Sequence, residues 1–274
     1  MKRHFICILF ILCTLSAGAW EYNREGATTD HNVQTRIGFE FSKKWNCGVA
    51  LHVSEELRFS LYDHETGTNA KSEAVDTTSI YGNSFNRSYT TLSLSYSPIQ
   101  YVKFDAGYTF RLLGSKDWSD ANEFLRHRVF FGVTGSYKTT YAKIYIRERA
   151  LVDMRTDSVN TAEKNRNNWL LRSRIGTDFL IPGKPVKPYA WVELENTLNA
   201  PEYQQKNGQQ FISRVRTQAG VKWRVSRLSS LDFYYRFTYG YDRDINITKN
   251  KGIIELTEET LYQHSFGVSY HIDL

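Results

Sequence analysis

From residue 33 onward, apolar and polar residues alternate with period two in runs too long for an ordinary sheet. Between Val33 and Phe41 the positions Val33, Thr35, Ile37, Phe39 and Phe41 make one mostly apolar face, while Gln34, Arg36, Glu40 and Ser42 make a polar one. Successive side chains of a strand point to opposite sides, so such runs describe strands with one apolar face and one polar face. The pattern recurs near residues 48–62, 88–97, 101–112, 125–137, 141–151, 167–181, 189–198, 211–225, 230–241 and 260–273. Several of these runs exceed the ~5–6 residues of a typical globular strand and suffice to cross a bilayer at a tilt.

Connections alternate in length as well. Short ones lie near residues 43–47, 98–100, 138–140 and 226–229, with a proline-rich one at 182–188; long ones lie at 63–87, 113–124, 152–166, 199–210 and 242–259. Pro98, Pro182, Pro185, Pro188 and Pro201 all fall in connections, as an unbroken hydrogen-bond ladder requires. Bulky apolar faces such as Val102, Phe104, Ala106, Tyr108, Phe110 and Leu112 need lipid, and in lipid a sheet must close on itself. The expected fold is all-β: a transmembrane antiparallel up-and-down barrel with short periplasmic turns and long extracellular loops. An even count needs one more strand, from Trp20 to about Ala27, giving twelve strands, with ten as the alternative. Trp45, Tyr101, Tyr141, Tyr189 and Trp223, beside the short turns, are expected in a periplasmic aromatic belt.

Two carboxylates conflict with this scheme. Glu55 falls on the apolar face of Val53, Leu57 and Phe59, which predicts a bulge near Glu55–Glu56 or a strand in two pieces. Glu148 conflicts in the same way, but closer to a loop.

The N-terminus reads as an export signal. Lys2, Arg3 and His4 precede the apolar stretch Phe5–Leu15, and Ala17-Gly18-Ala19 is a small-residue cleavage site, so residues 1–19 form the leader and residues 20–274 one outer-membrane domain of a Gram-negative bacterium. Of the three cysteines only Cys47 lies outside the leader, which excludes an internal disulfide framework. The formal charge of +6 falls to about +4 without Lys2 and Arg3, too mild to argue for nucleic acid. The mean hydropathy of −0.49 excludes a helical membrane protein and leaves room for a barrel with a polar interior.

Charge on the polar faces is patterned. Arg126 and Arg128, Arg147 and Arg149, Arg172 and Arg174, Glu193 and Glu195, and Arg214 and Arg216 stand two apart on successive strands, followed by Arg236. All are expected to line the lumen as a belt on one wall, in its extracellular half. Two readings follow: a cationic constriction that favours small anionic solutes, or a lumen-filling ion-pair network completed by Glu40, Glu56, Asp105, Asp178 and Asp232. A closed barrel whose loops 63–87 and 242–259 bind a partner goes with the second.

Signs of catalysis are weak. His264 and Ser265 are adjacent and therefore face opposite sides, so no catalytic residue is assigned and the chain is not expected to be an enzyme; a lipid-modifying barrel is the minor alternative. The sequence contains no glycine-rich phosphate loop and no Cys/His metal spacing, so neither cofactor nor metal is expected.

Arg126-His127, Arg147-Glu148-Arg149, Leu171-Arg172-Ser173-Arg174, the segment Pro188–Asn196 and the segment Ser213–Trp223 occur in that order at roughly regular spacing. Together they resemble the outer-membrane barrels grouped as domain of unknown function family 2490. The resemblance implies an exported barrel and no assigned activity. The last residues, with Gly267, Tyr270, Ile272 and Leu274, resemble the terminal-strand signal read by barrel assembly machinery, which together with outer-membrane lipid is an expected partner.

Overall fold

Alternation of period two is realised as eleven strands among the described residues, which are 24–114, 125–155, 167–200, 211–248 and 253–274 of this computed structural model. They are β1 (Arg24–Lys44), β2 (Val49–Thr68), β3 (Ala74–Ile99), β4 (Val102–Leu113), β5 (Leu125–Lys138), β6 (Ala142–Arg155), β7 (Asn167–Phe179), β8 (Val186–Thr197), β9 (Ile212–Arg224), β10 (Ser229–Thr248) and β11 (Ile253–Asp273). Each pairs antiparallel with its chain neighbours, and β1 closes on β11 to complete the barrel. The leader expected over residues 1–19 lies outside the described residues.

Closure differs from the expectation of twelve strands. Arg24 to Ala27, expected in a separate ascending strand, are instead the top of β1, where Arg24 pairs with Glu255 and Ala27 with Thr68; residues 20–23 lie outside the described residues. Both β1 and β11 descend toward the short turns, so they pair in parallel, from Arg24↔Glu255 to Ser42↔Asp273. A parallel ladder satisfies the edge amides of both strands, which removes the need for an intervening strand. At the bottom, the Leu274 amide donates to the Ser42 carbonyl at 2.8 Å and the Lys44 amide to the Leu274 carbonyl at 3.1 Å.

Strand lengths make the barrel uneven. β1, β2, β3, β10 and β11 have 20–26 residues, whereas β4 to β9 have 12–14. Much of the expected loops 63–87 and 242–259 is therefore hairpin: β2 continues to Thr68, β3 begins at Ala74, and β10 and β11 pair as far as Thr248↔Ile253. Their polar sequences conceal strands because no apolar face marks them.

The bulge also lies elsewhere. Pairing slips between Ser60 and Tyr62, leaving Leu61 as the extra residue, while Glu55 stays on the outer face opposite Phe39 and accepts a hydrogen bond from the Thr90 hydroxyl. Glu148, expected near a loop, sits midway along β6 on the same outer surface and accepts from the Ser173 hydroxyl at 2.7 Å. A hydroxyl on the next strand thus satisfies each carboxyl without a change of register.

Outward faces are mostly apolar, with Phe131, Ile146, Ile175 and Phe266 each more than half exposed. Trp45, Tyr101, Tyr141 and Trp223 are exposed beside the short turns, but Tyr189 is buried inside the barrel, because its position on β8 has the parity of Trp191 and Glu193. Its ring covers Gly220, as the Tyr234 ring covers Gly267, and a Cβ at either glycine would strike the ring.

Candidate functional site

The interior encloses a cavity of about 540 Å³, and its charged lining is organised by register. One cross-strand row runs Arg147–Arg174–Glu193–Arg216 across β6 to β9, and the next runs Arg149–Arg172–Glu195–Arg214. Arginines directly opposite one another repel, and the two glutamates of β8 offset that repulsion. Glu193 accepts from Arg174 at 2.6 Å, Arg216 at 3.1 Å and Arg147 at 3.3 Å. Glu195 accepts from Arg172 at 2.5 Å and from both Nη atoms of Arg216 at 3.0 Å, with Arg214 at 4.0 Å. Both carboxylates are almost fully buried. Arg149 instead pairs with Asp105 at 2.5 Å and lies over the Phe130 ring, and Arg174 lies over Trp191 at 3.7 Å.

The belt is not confined to one wall. Arg36, Arg58, Arg87 and Arg111 continue it round β1 to β4 and were missed in the sequence. Arg58 pairs with Glu56 at 2.6 Å, a carboxylate that Arg36 also reaches at 3.4 Å. Arg58 and Arg111 flank the Tyr89 ring, at 4.0 and 5.1 Å from its centroid. Arg87 donates to Asn86 and forms no ion pair among the described residues. Asp153, also missed because its strand reads as ending at residue 151, joins Arg111 at 2.9 Å to Arg128 at 2.5 Å. Arg126 occupies the lumen-facing row of Tyr89 and Arg111. Arg236 donates to Gln218 at 2.7 Å and lies between the Trp191 and Tyr234 rings.

Period two carried the signal for the missed arginines: Arg36 shares parity with Gln34 and Glu40, and Arg111 with Asp105 and Thr109. They were isolated rather than paired two apart, so they did not stand out. The belt also lies near mid-height on β6 and β7 rather than in the extracellular half, since Arg147 and Arg174 stand near the middle of their strands. Of the expected network carboxylates, Asp178 pairs with Lys187, Asp232 accepts from the Tyr189 hydroxyl, and Glu40 pairs with His271.

Other predicted residues fall as alternation demands. His264 faces outward with its Nδ1 at 2.7 Å from the Tyr235 hydroxyl, whereas Ser265 is fully buried on the inner side. Tyr270 and Ile272 face outward near the end of β11, and Gly267 faces inward beneath Tyr234.

Residues 39–248 match the family described as protein of unknown function, DUF2490. The chain belongs to this family. The matched segment holds the whole arginine lining except Arg36. No curated protein matches the chain. Among solved structures it is similar to the NanC porin, with 10% sequence identity and a TM-score of 0.39 over 81% of this chain and 94% of that one.

Proposed function

We propose that the protein is a passive outer-membrane channel that favours small anionic solutes. In this reading residues 1–19 direct export, residues 20–274 form one barrel domain, and assembly machinery recognises the strand ending at Leu274. The apolar outer face supports contact with lipid, because an exposed belt of this extent has no counterpart on a monomer in water. The observation that carries the selectivity is the charge of the lumen. Among the described residues, twelve arginines and Lys103 line the cavity, against the six carboxylates Glu40, Glu56, Asp105, Asp153, Glu193 and Glu195 at or behind its wall. Guanidinium groups stay ionised, so this excess raises anion occupancy and repels cations. Reversal potentials of the folded protein in a planar bilayer under a salt gradient test it: anion selectivity is expected, and a cation-selective or non-conducting barrel would defeat it.

A second reading rests on packing. Gln34 and Arg36 are each 2% exposed and Ser265 0%, so the lumen along β1 and β11 is filled by side chains. A sealed barrel would then serve as a scaffold for the tall β2–β3 and β10–β11 hairpins, and a partner would bind there.

A further inference from the structure

Below the arginine lining, near the short turns, three inward side chains from consecutive strands meet in an order that the lumen's charge does not explain. Glu40 lies on β1, His52 on β2 and Ser95 on β3. Register brings them together, since His52 is opposite Ser42 and Ser93, one step along from Glu40 and Ser95 respectively. His52 Nε2 lies 3.1 Å from the Ser95 hydroxyl, and His52 Nδ1 lies 3.8 Å from Oε1 of Glu40. The other oxygen of Glu40 is held by His271 Nδ1 at 3.1 Å, which fixes the carboxylate from behind.

An imidazole with a hydroxyl on one nitrogen and a carboxylate on the other is the arrangement that activates a serine for acyl transfer. With its proton on Nδ1, facing Glu40, the ring leaves Nε2 free to accept the serine proton. Separations of this size shorten in complexes with substrate. Simple polar filling requires only that each group find some partner; here the partners occur in the sequence hydroxyl, base, orienting acid. Ser95, His52 and Glu40 also line the cavity of about 540 Å³, Ser95 buried in its wall and Glu40 the most exposed of the three. Lys103 lines the same space from β4, diagonal to Ser95, whose direct neighbour there is Asp105. Lys103 brings a positive charge to the strand beside Ser95, of the sign that an oxyanion there would need.

We propose that Ser95, His52 and Glu40 form a serine hydrolase site inside the barrel, acting on carboxylic esters small enough to enter the lumen. Ser95 Oγ attacks the ester carbonyl carbon as its proton passes to His52 Nε2. The resulting tetrahedral oxyanion is held by Lys103. Collapse breaks the bond to the leaving alkoxide, which takes the proton from His52 and departs as an alcohol. Water then attacks the acyl-serine, gives its proton to His52, and releases the carboxylic acid as Ser95 regains that proton. Ser95 and His52 are the catalytic residues, and Glu40 positions the imidazole. The site does not depend on ion selectivity, so the channel reading can fail while this one stands.

The test uses the full-length protein folded in detergent micelles, treated with an alkyl fluorophosphonate, whose fluoride an activated serine displaces. Mass spectrometry of peptides is expected to place the adduct on Ser95 and not on the lumen serines Ser54 and Ser93, with labelling abolished by Ser95→Ala and retained by Ser93→Ala. His52→Gln should slow labelling on the order of 100-fold or more. Glu40→Gln should slow it by about 10-fold, and Glu40→Asp should restore most of the rate, a rescue that a merely structural role would not give. Hydrolysis of p-nitrophenyl acetate should disappear in step with labelling. Heat-modifiable migration confirms that each variant is folded. Where His52→Gln does not fold, the site of the adduct in the wild-type chain decides alone. An unlabelled Ser95, labelling that survives His52→Gln in a folded barrel, or ester turnover unaffected by the adduct would each overturn the proposal.

Discussion

Each of Arg147, Arg149, Arg172, Arg174, Arg214 and Arg216, on the wall of β6 to β9, reaches a carboxylate, whereas on β1 to β4 Arg36, Arg58 and Arg111 do so and Arg87 forms no ion pair among the described residues. The first wall is a lattice in which Glu193 and Glu195 each bind several guanidinium groups. The second relies on the Tyr89 ring and on carboxylates shared two to one. One residue type therefore stands in two settings: arginines bound to shared carboxylates, and Arg87, which the channel reading leaves available to an anion. A buried ion pair is costly to break from one side, while an arginine without a partner loses little when replaced.

The largest effect should come from the lattice. Glu193→Gln with Glu195→Gln leaves several buried arginines uncompensated and is expected to lower stability by about 3–5 kcal/mol in urea unfolding. An equal loss from Glu56→Gln would erase the contrast between the walls. Next comes selectivity: Arg87→Gln should shift the reversal potential toward zero while stability changes by less than about 1 kcal/mol, and Arg174→Gln should do the reverse. If both replacements moved the same quantity, the two walls would have one role. A smaller effect is expected at Tyr89→Phe, where Arg111 loses the hydroxyl it contacts at 3.4 Å; thermal unfolding should register about 1 kcal/mol or less.

The smallest effect belongs to the rim, above the ~9–11 residues that a tilted strand needs to cross a bilayer from Lys44. There burial, aided by a hydrogen bond to Asp63 and by the charges of Asp63, Glu65 and Glu259, pushes the Asp30 carboxyl up to about 8. The folded chain then binds a proton that the unfolded chain has released, so this contribution is present at low pH and is lost as pH rises from about 4 to about 8. Asp30→Asn should flatten that dependence and leave the protein slightly more stable at pH 9, by less than about 1 kcal/mol after solvent screening. A pH profile identical to wild type would show that the rim acids are independent of one another.

Much of the fold was legible because alternation is a local property: whichever strand Arg147 and Arg149 pair with, both lie on the face opposite Ile146. The same logic placed Arg172, Glu193 and Arg216 on one interior and separated His264 from Ser265. Tyr189 departs from the expected aromatic belt because parity along β8, not closeness to a turn, sets the side it faces. The site around Ser95 was not legible, since Glu40, His52 and Ser95 are isolated in the chain and only the register of three strands joins them.

The sequence by itself determined which residues face inward, that the chain is a closed β structure, and that the interior is rich in arginine, because period two and composition need no knowledge of neighbours. Tertiary structure alone decided the parallel closure of β1 on β11, the bulge at Leu61, and which carboxylate meets which arginine. Those depend on how far one strand slides against the next, and a slide of one ladder position changes every partner while leaving the local pattern of each strand untouched.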